Sequence, residues 1–508
     1  MPTRSHVLKS VGLVTIIAAV GKVLGFGRES IIAAYFGASS TADVFFVASL
    51  IPTILFTALG SGLQAGVIPI YLEKKAENPI KADDFISLLG SFFMLAAGVM
   101  TIVCMIFAKP LVMLVAPGFS GAELELTESL TRIMLPSLLF FTLSYMATGV
   151  LNANKRFILP ALTSTAQNTV IIVATVLFAA PFGVVGLAWG FVFGAASQFL
   201  IQYPSLKRYG IRPVLSFLPH KRQIVQTLYT FYPIIIAALA IQLNSVVDRI
   251  IATSLETGSV AALNYANRLL WLPLSIVLTP LITVLYPSIV ERALISYNSF
   301  LELTLRGMKS LVFLAVPFVI VMLVSGNGLI TLAFERGAFD ASATETTYTA
   351  FFFYSAALPF FALRDYLMNA FYALKKTKTA MYSCLFAVLL NVMLSWFLSR
   401  HLGVGGIAMA TGISMLLQSL YLFCCLWLKA DGRKDTAVFR DVLLESGKLL
   451  IIGAIIYVLA RWLHPLALAF PIIVELVFIS LLVFGLYLGL SMIFKVSSLK
   501  SLSRLKSK

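Results

Sequence analysis

Apolar residues run for some twenty positions at a time along this chain, and short polar turns separate the runs. Each run is apolar on every side, without the alternation of a half-buried strand or the one-sided stripe of a surface helix. A helix needs about 20 such residues to cross the hydrocarbon core of a bilayer. In lipid, a helix can satisfy its own backbone polar groups, whereas a lone strand cannot. Fourteen segments meet the length or come close to it: 10–35, 42–71, 84–107, 128–150, 157–179, 184–205, 223–252, 259–288, 310–333, 348–373, 379–399, 404–428, 449–463 and 469–494. The pattern predicts an all-α polytopic membrane protein with 14 transmembrane helices and no separate soluble domain.

Composition agrees. Of 508 residues, 59% are hydrophobic and only 12% are charged, against roughly 25% charged in soluble proteins. The first run lacks a small-residue cleavage site behind a basic leader, so it reads as a retained helix. A net charge of +16 raises nucleic acid as a partner, but the placement of the charge argues against it. With the N-terminus inside, the cytoplasmic segments hold 28 of the 38 Lys and Arg residues, and the external loops hold Lys109, Arg336, Arg400 and Arg461. That asymmetry is the positive-inside rule; it predicts cytoplasmic N- and C-termini. The tail 495–508 then anchors topology beside anionic lipid. The four cysteines fall in or beside spans and the four histidines are scattered, so neither disulfides, nor a metal, nor a cofactor is expected.

The two halves echo each other. Arg28, Gly37 and Pro52 recur as Arg249, Gly258 and Pro273, each 221 positions later, and LNANKR (151–156) recurs as FYALKK (371–376) after 220. VVGLAWG (184–190) is echoed by VGGIAMA (404–410), and Gln198 by Gln418, at the same offset. Six spans per repeat is an even number, so both halves run in the same direction, as in transporters with parallel repeats. The expected domains are an N-terminal lobe, 1–222, a C-terminal lobe, 223–430, and a helix pair with a basic tail, 431–508.

Six basic residues lie inside spans: Lys22, Arg28, Arg132, Arg249, Arg268 and Arg364. The acids there are Glu29, Asp43, Asp248, Asp365 and Glu475. An ionisable group at mid-membrane costs at least about 2.5–3.5 kcal/mol on insertion scales, so it faces a bundle interior or water. Buried ion pairs that lock helix register are one reading. Adjacent residues, however, point about 100° apart on a helix, so Arg28–Glu29, Asp248–Arg249 and Arg364–Asp365 are expected to split. Their acids would tie helices together while their bases face a cavity. Arg132, near a span end, snorkels. A cationic cavity selects anions, and guanidinium forks suit phosphate. No phosphate loop, metal-binding carboxylate pair or nucleophile–base motif is present, so catalysis is not expected. Within GKVLGFG (21–27), Gly25 and Gly27 each weaken the helix by about 1 kcal/mol relative to alanine. They serve either close packing or bending of the first helix. Pro52, Pro233 and Pro273 are further bend points.

GKVLGFGRESIIAAYFGASSTADVFFVASLIP (21–52) resembles the first two helices of the MurJ (MviN) lipid II flippase family of the MOP exporter superfamily, and VDRIIATSLETGSVAALNYANRLLWLP (247–273) resembles its seventh and eighth. The resemblance implies two pseudo-symmetric six-helix lobes in a V shape plus a C-terminal helix pair, in the bacterial cell membrane. It implies outward transport of an undecaprenyl-pyrophosphate-linked disaccharide-pentapeptide by alternating access through a cationic central cavity. Family cavity residues carry onto Lys22, Arg28, Asp43 and Arg268; Glu29 keeps an acidic position, and Glu475 falls at a groove for the lipid tail. Arg249 and Arg364 join the cavity from their own charge and position, with Asp248 structural. The expected partners are the lipid-linked glycan and membrane lipids, with the chain monomeric and the cell-wall synthesis machinery a candidate protein partner. Phe56, Thr57 and Ser61 stand where relatives carry an arginine pair and a glutamate, and helix 11 has Asn391 but no carboxylate, so a sodium site like that of some relatives is not expected. These departures leave open a different lipid-linked oligosaccharide. A drug/cation antiporter wants an acidic cavity, a membrane glycosyltransferase wants carboxylates near a large external loop, and a scaffold would use its buried charges structurally.

The charge asymmetry generates a topology test. In a cysteine-free background, single cysteines at Lys207 and Arg433 should resist external membrane-impermeant thiol reagents, whereas one at Ser120 or Ala343 should label. External labelling at Lys207 would overturn the topology and the parallel repeat.

Overall fold

The computed structural model describes residues 4–55, 79–208, 246–428 and 433–499, with Tyr71, Lys75 and Gln242. Every regular element among them is helical. In chain order these are α1 (Arg4–Phe36), α2 (Ser40–Leu55), α3 (Pro79–Ile106), α4 (Ala108–Val115), α5 (Gly121–Met134), α6 (Ser137–Ala153), α7 (Ile158–Leu200) and α8 (Tyr203–Arg208). After α9 (246–252) come α10 (Ser259–Pro273), α11 (Thr279–Ile295), α12 (Tyr297–Val324), α13 (Gly326–Phe334), α14 (Ala341–Ala373), α15 (Thr377–Trp427), α16 (Arg433–Ala467) and α17 (Ile472–Ile493). Among the described residues, nine helical stretches are long and apolar enough to cross a membrane. Most of the seventh expected span, with Pro233 and the expected boundary at 222, lies outside the described residues.

The outward faces are those of a protein solvated by lipid. On α17, Ile473, Val477, Leu481, Leu488 and Met492 are exposed, while Leu476, Ile479, Val483 and Tyr487 are buried. Both sets are apolar, so helical periodicity sorts packing from lipid contact rather than apolar from polar.

The chain forms two compact units. One comprises residues up to Ala261 together with Gly337–Phe339; the other comprises Ala262–Arg336 and the chain from Asp340 onward. In the first, α1 and α6 pack along α7, and α3 joins α6 through Ile86, Leu89, Phe93, Met146 and Val150. In the second, α14 packs on α15, and α12 carries the α16–α17 pair through Phe313, Ile320, Ile452, Ile456 and Val483. The Tyr487 hydroxyl donates to the Phe313 carbonyl at 2.8 Å, so even this apolar seam satisfies its buried polar group.

The backbone repeats where the side chains do. Lys155 and Lys375 both close their helices in the left-handed conformation, at φ 59° and 57°. In both turns the next amide donates five residues back, Arg156 to Leu151 at 2.8 Å and Lys376 to Phe371 at 2.9 Å. Gly183 and Gly403, at φ 56° and 53°, break α7 and α15 at equivalent points. In α7 the chain reverses there: Gly190 and Gly194 of the second limb lie against Ala174 and Ile171 of the first. Pro273 leads into a π turn, Leu274–Leu278. The wide turn absorbs the hydrogen bond a proline cannot make, so this expected bend point is a real irregularity.

Four turns of the first unit meet backbone to backbone. Ala338 donates to the Ala34 carbonyl at 2.8 Å. Gly118 lies on Thr253, and Gly258, at φ 89°, lies on the Ala38 carbonyl with no room for a Cβ. Asp43 completes the cluster, accepting from the amides of Gly258 at 2.6 Å and Ala261 at 2.7 Å. It thereby caps the first turn of α10.

Ala343 sits behind the Asp340 cap of α14, 8% exposed, whereas Ser120 is exposed, so Ser120 is the better external labelling site. Gly258→Ala should combine backbone strain with a clash, and Asp43→Ala should leave two amides unpaired at about 1–3 kcal/mol. Both should lower folded yield and thermal midpoint in detergent, with Gly447→Ala, where no neighbour stands within 4 Å, as the control. An unchanged midpoint in both would show that this cluster contributes nothing to stability.

Candidate functional site

The first candidate residues lie on α1, and its glycines explain how α7 reaches them. A Cβ at Gly21 would stand 2.6 Å from Ser164 Oγ, and one at Gly25 would stand 3.2 Å from Asn168 Nδ2. Glycine at both positions lets the two helices approach closely enough for Asn168, 8% exposed, to work between them. Asn168 Nδ2 donates to the Gly21 carbonyl at 3.1 Å, and its Oδ1 accepts from Arg28 Nη1 at 3.2 Å. Gly27 is different: no neighbour stands within 4 Å of its missing Cβ. Gly25 is therefore a packing residue, and α1 is one unbroken helix through 21–30 in this conformation. Of the glycines in 21–27, only Gly27 is without a packing contact.

Arg28 corrects the expectation that adjacent opposite charges split apart. Its Nη2 pairs with Glu29, which is 1% exposed, and Arg364 Nε lies 3.1 Å from Asp365 Oδ1. Backbone directions do diverge by 100°, but a guanidinium on a three-carbon stem can curl back to the neighbouring carboxylate. The pairing leaves capacity unused. Arg28 Nε is buried with no hydrogen-bond partner among the described residues, and Arg364 Nε is too poorly aligned on its carboxylate to donate. Each arginine is thus part-neutralised, held in place, and still has an N–H to offer.

The other sequence-derived residues divide as follows. Lys22 is exposed on α1, and Asp248 and Arg249 are half-buried on α9, all within the first unit. Arg268, exposed on α10, and Arg364 on α14 belong to the second. Asp43 is no cavity ligand: it is 3% exposed and both its oxygens are taken by the α10 amides. Arg132 pairs with Glu128 at 2.8 Å and donates to the Met105 carbonyl at 3.2 Å, as a span-end residue should. Glu475 does not sit against lipid: it is 5% exposed, 2.9 Å from His464 across the short α16–α17 turn. Asn391 donates to Thr411 at 3.1 Å across the two limbs of α15. Phe56, Thr57 and Ser61 lie outside the described residues.

Sequence reading missed three groups. Asn168 was visible only as an amide within an apolar span. Gln202, fully buried, donates to Ser144 Oγ at 2.9 Å and accepts from Thr148 at 3.0 Å. Lys309 counted as a loop cation, yet it is 8% exposed and paired with Asp441 at 2.7 Å and Glu445 at 3.1 Å.

Apolar helices of spanning length, with half-buried arginines among them, make this a polytopic helical membrane protein. Its fold is that of a multidrug MATE transporter of the MOP superfamily solved facing inward (TM-score 0.67, 15% identity, covering 84% of this chain and 99% of that one). A family model described as lipid II flippase MurJ matches residues 32–477. The chain is 30% identical over 420 residues to the lipid II flippase MurJ of Burkholderia cenocepacia, covering 80% of each. It is 29% identical over 431 residues to a probable lipid II flippase MurJ of Buchnera aphidicola, covering 82% of this chain and 83% of that one. A solved lipid II flippase MurJ in an inward closed conformation superposes with a TM-score of 0.79 at 26% identity, covering 95% of this chain and 99% of that one. This chain belongs to the MurJ lipid II flippase family.

The glycine assignments separate by experiment. Gly25→Ala should push against Asn168 and lower thermal stability, while Gly27→Ala should leave stability unchanged and slow transport. Asn168→Ala should resemble Gly25→Ala and also loosen Arg28. A Gly27→Ala variant that transports at the wild-type rate would remove the hinge.

Proposed function

We propose that this chain is a flippase that moves lipid II, a polyprenyl-pyrophosphate-linked disaccharide-pentapeptide, from the cytoplasmic to the outer leaflet of the bacterial cell membrane by alternating access. The observation that carries this is the family match across residues 32–477, spanning both halves of the chain. Arg28, with a buried and unused N–H, supplies the chemistry the pyrophosphate needs. Lys22, Arg249, Arg268 and Arg364 serve as further cations along the route. Glu29 and Asp248 hold arginines in position, and Gly27 lets α1 bend.

The same reading includes fourteen crossings, as two six-helix halves and a C-terminal pair, with both termini cytoplasmic. The turns repeated at offsets of 220 and 221 support it, as do the breaks at Gly183 and Gly403, which divide α7 and α15 into two limbs each. The halves correspond to 1–222 and 223–430, and the pair with its tail to 431–508.

Depletion in the native host should accumulate lipid II in the cytoplasmic leaflet; accumulation of a different lipid-linked glycan would redirect the assignment. On re-expression, Arg28→Ala and Arg268→Ala should fail to restore flipping at normal membrane levels. Each loses charge-assisted hydrogen bonds of roughly 1.5–3 kcal/mol. Lysine should rescue only in part, since a point charge cannot reproduce the fork. Full complementation by both alanine variants would overturn the cationic route.

A further inference from the structure

A cavity of about 440 Å³ opens in the first unit between α1, α6 and the two limbs of α7, outside the arginine site. Its polar wall consists of the hydroxyls of Ser144, Thr148, Thr163 and Ser164 and the amides of Asn152 and Gln198. Val14, Phe157, Pro160 and Ala161 close it, and Tyr145 adds both a ring and a hydroxyl. None of these residues carries a formal charge.

The wall is held from behind. Gln202 donates to the Ser144 hydroxyl and to the Gln198 carbonyl at 3.0 Å, and Gln198 donates to Gln167 at 2.6 Å. With the side chains fixed by such bonds, a ligand need not order them on arrival. The internal repeat supplies a control. At the offset of 220, Thr148, Asn152 and Gln202 correspond to Met368, Tyr372 and Leu422. There Gln418, the counterpart of Gln198, turns to Ser383 at 3.2 Å and Cys384 at 3.5 Å. Ser144, Thr163 and Gln198 keep polar counterparts in Arg364, Ser383 and Gln418, so what the fold does not demand is the hydroxyl of Thr148 and the amide of Asn152, which only the first half has.

The chemistry of the wall selects among the parts of the proposed substrate. A polyprenyl tail would leave these hydroxyls and amides unpaired, at a cost. A peptide carries carboxylates, and nothing charged is here to meet them. The first, N-acetylated sugar offers one amide, a free hydroxyl, ether and ring oxygens that accept, and an apolar ring face, which suits this mixture. Position agrees. Ser164 in the wall lies four residues, about 6 Å of helix rise, before Asn168, the residue that holds Arg28. In a pyrophosphate-linked glycan the first sugar is bonded directly to the pyrophosphate, so the two sites stand in the order the ligand requires.

We propose that this cavity binds the first, N-acetylated sugar of the lipid-linked glycan while Arg28 meets its pyrophosphate; this rests on the flippase reading above. The full-length protein in nanodiscs, titrated with lipid II and separately with undecaprenyl pyrophosphate, tests it by native mass spectrometry. Wild type should bind lipid II about tenfold more tightly than the sugarless lipid. Ala161→Leu, which fills the cavity, and Asn152→Leu, at the end of α6, should each abolish that preference and leave undecaprenyl pyrophosphate affinity within about twofold. Arg28→Ala should instead weaken both lipids. Equal wild-type affinity for the two lipids overturns the sugar site and leaves the flippase reading standing, as does an unchanged preference in whichever leucine variants fold. Folded wild type that binds neither lipid overturns both.

Discussion

Glu29 is 1% exposed in a bundle whose outer surface is hydrocarbon, and the geometry of the first helix follows from keeping that carboxylate partnered. A charge there is costly to keep unpaired, and Arg28 curls back onto it. Arg28 in turn needs a neutral acceptor that does not compete for its charge, and Asn168 supplies one. Asn168 can reach only because Gly21 and Gly25 bring α7 against α1. Charge, amide and glycine thus form one dependency, in which the packing distance of two helices is set by the needs of a buried ion pair.

The same rule recurs wherever the chain buries polarity. Asp43 is spent on the open amides of α10 rather than on a ligand. Lys309 is enclosed by Asp441 and Glu445, and Glu445 also accepts from the Ser498 amide at 2.7 Å, so the turn after α17 is tied through α16 to α12. His464 and Glu475 answer each other across a short turn. Such pairs fix register more than they add stability, since hydrophobic residues of similar volume would often do as well. Arg28 and Arg364 differ from these pairs in the N–H that each leaves unused.

The internal repeat separates what the fold requires from what function has added. The left-handed turns at Lys155 and Lys375 and the breaks at Gly183 and Gly403 are shared, because each reverses the chain between spans. The polar wall is shared only in part: Thr148 and Asn152 give way to Met368 and Tyr372, while Ser144 becomes Arg364 and Gln198 remains a glutamine, Gln418. A protein that must hold an amphiphile with charged, sugar and hydrocarbon parts gains from two halves with different interiors.

The run lengths of apolar residues determined the helices, because lipid leaves a spanning backbone no other way to satisfy itself. The offset of 220 or 221 marked the turns that the backbone repeats, since a left-handed residue or a chain reversal leaves a local trace in glycine and basic residues. The quoted motifs carried the family. Which charges meet which partners was beyond the sequence. Arg28 and Glu29 looked divergent because backbone direction ignores the reach of a long side chain, and Asp43 looked like a ligand until the amides of Gly258 and Ala261 arrived from more than 200 residues away. Gly25 and Gly27, two residues apart, are alike in sequence. Only the neighbouring helix made one a contact and left the other free, because packing is a property of two surfaces and a sequence records one.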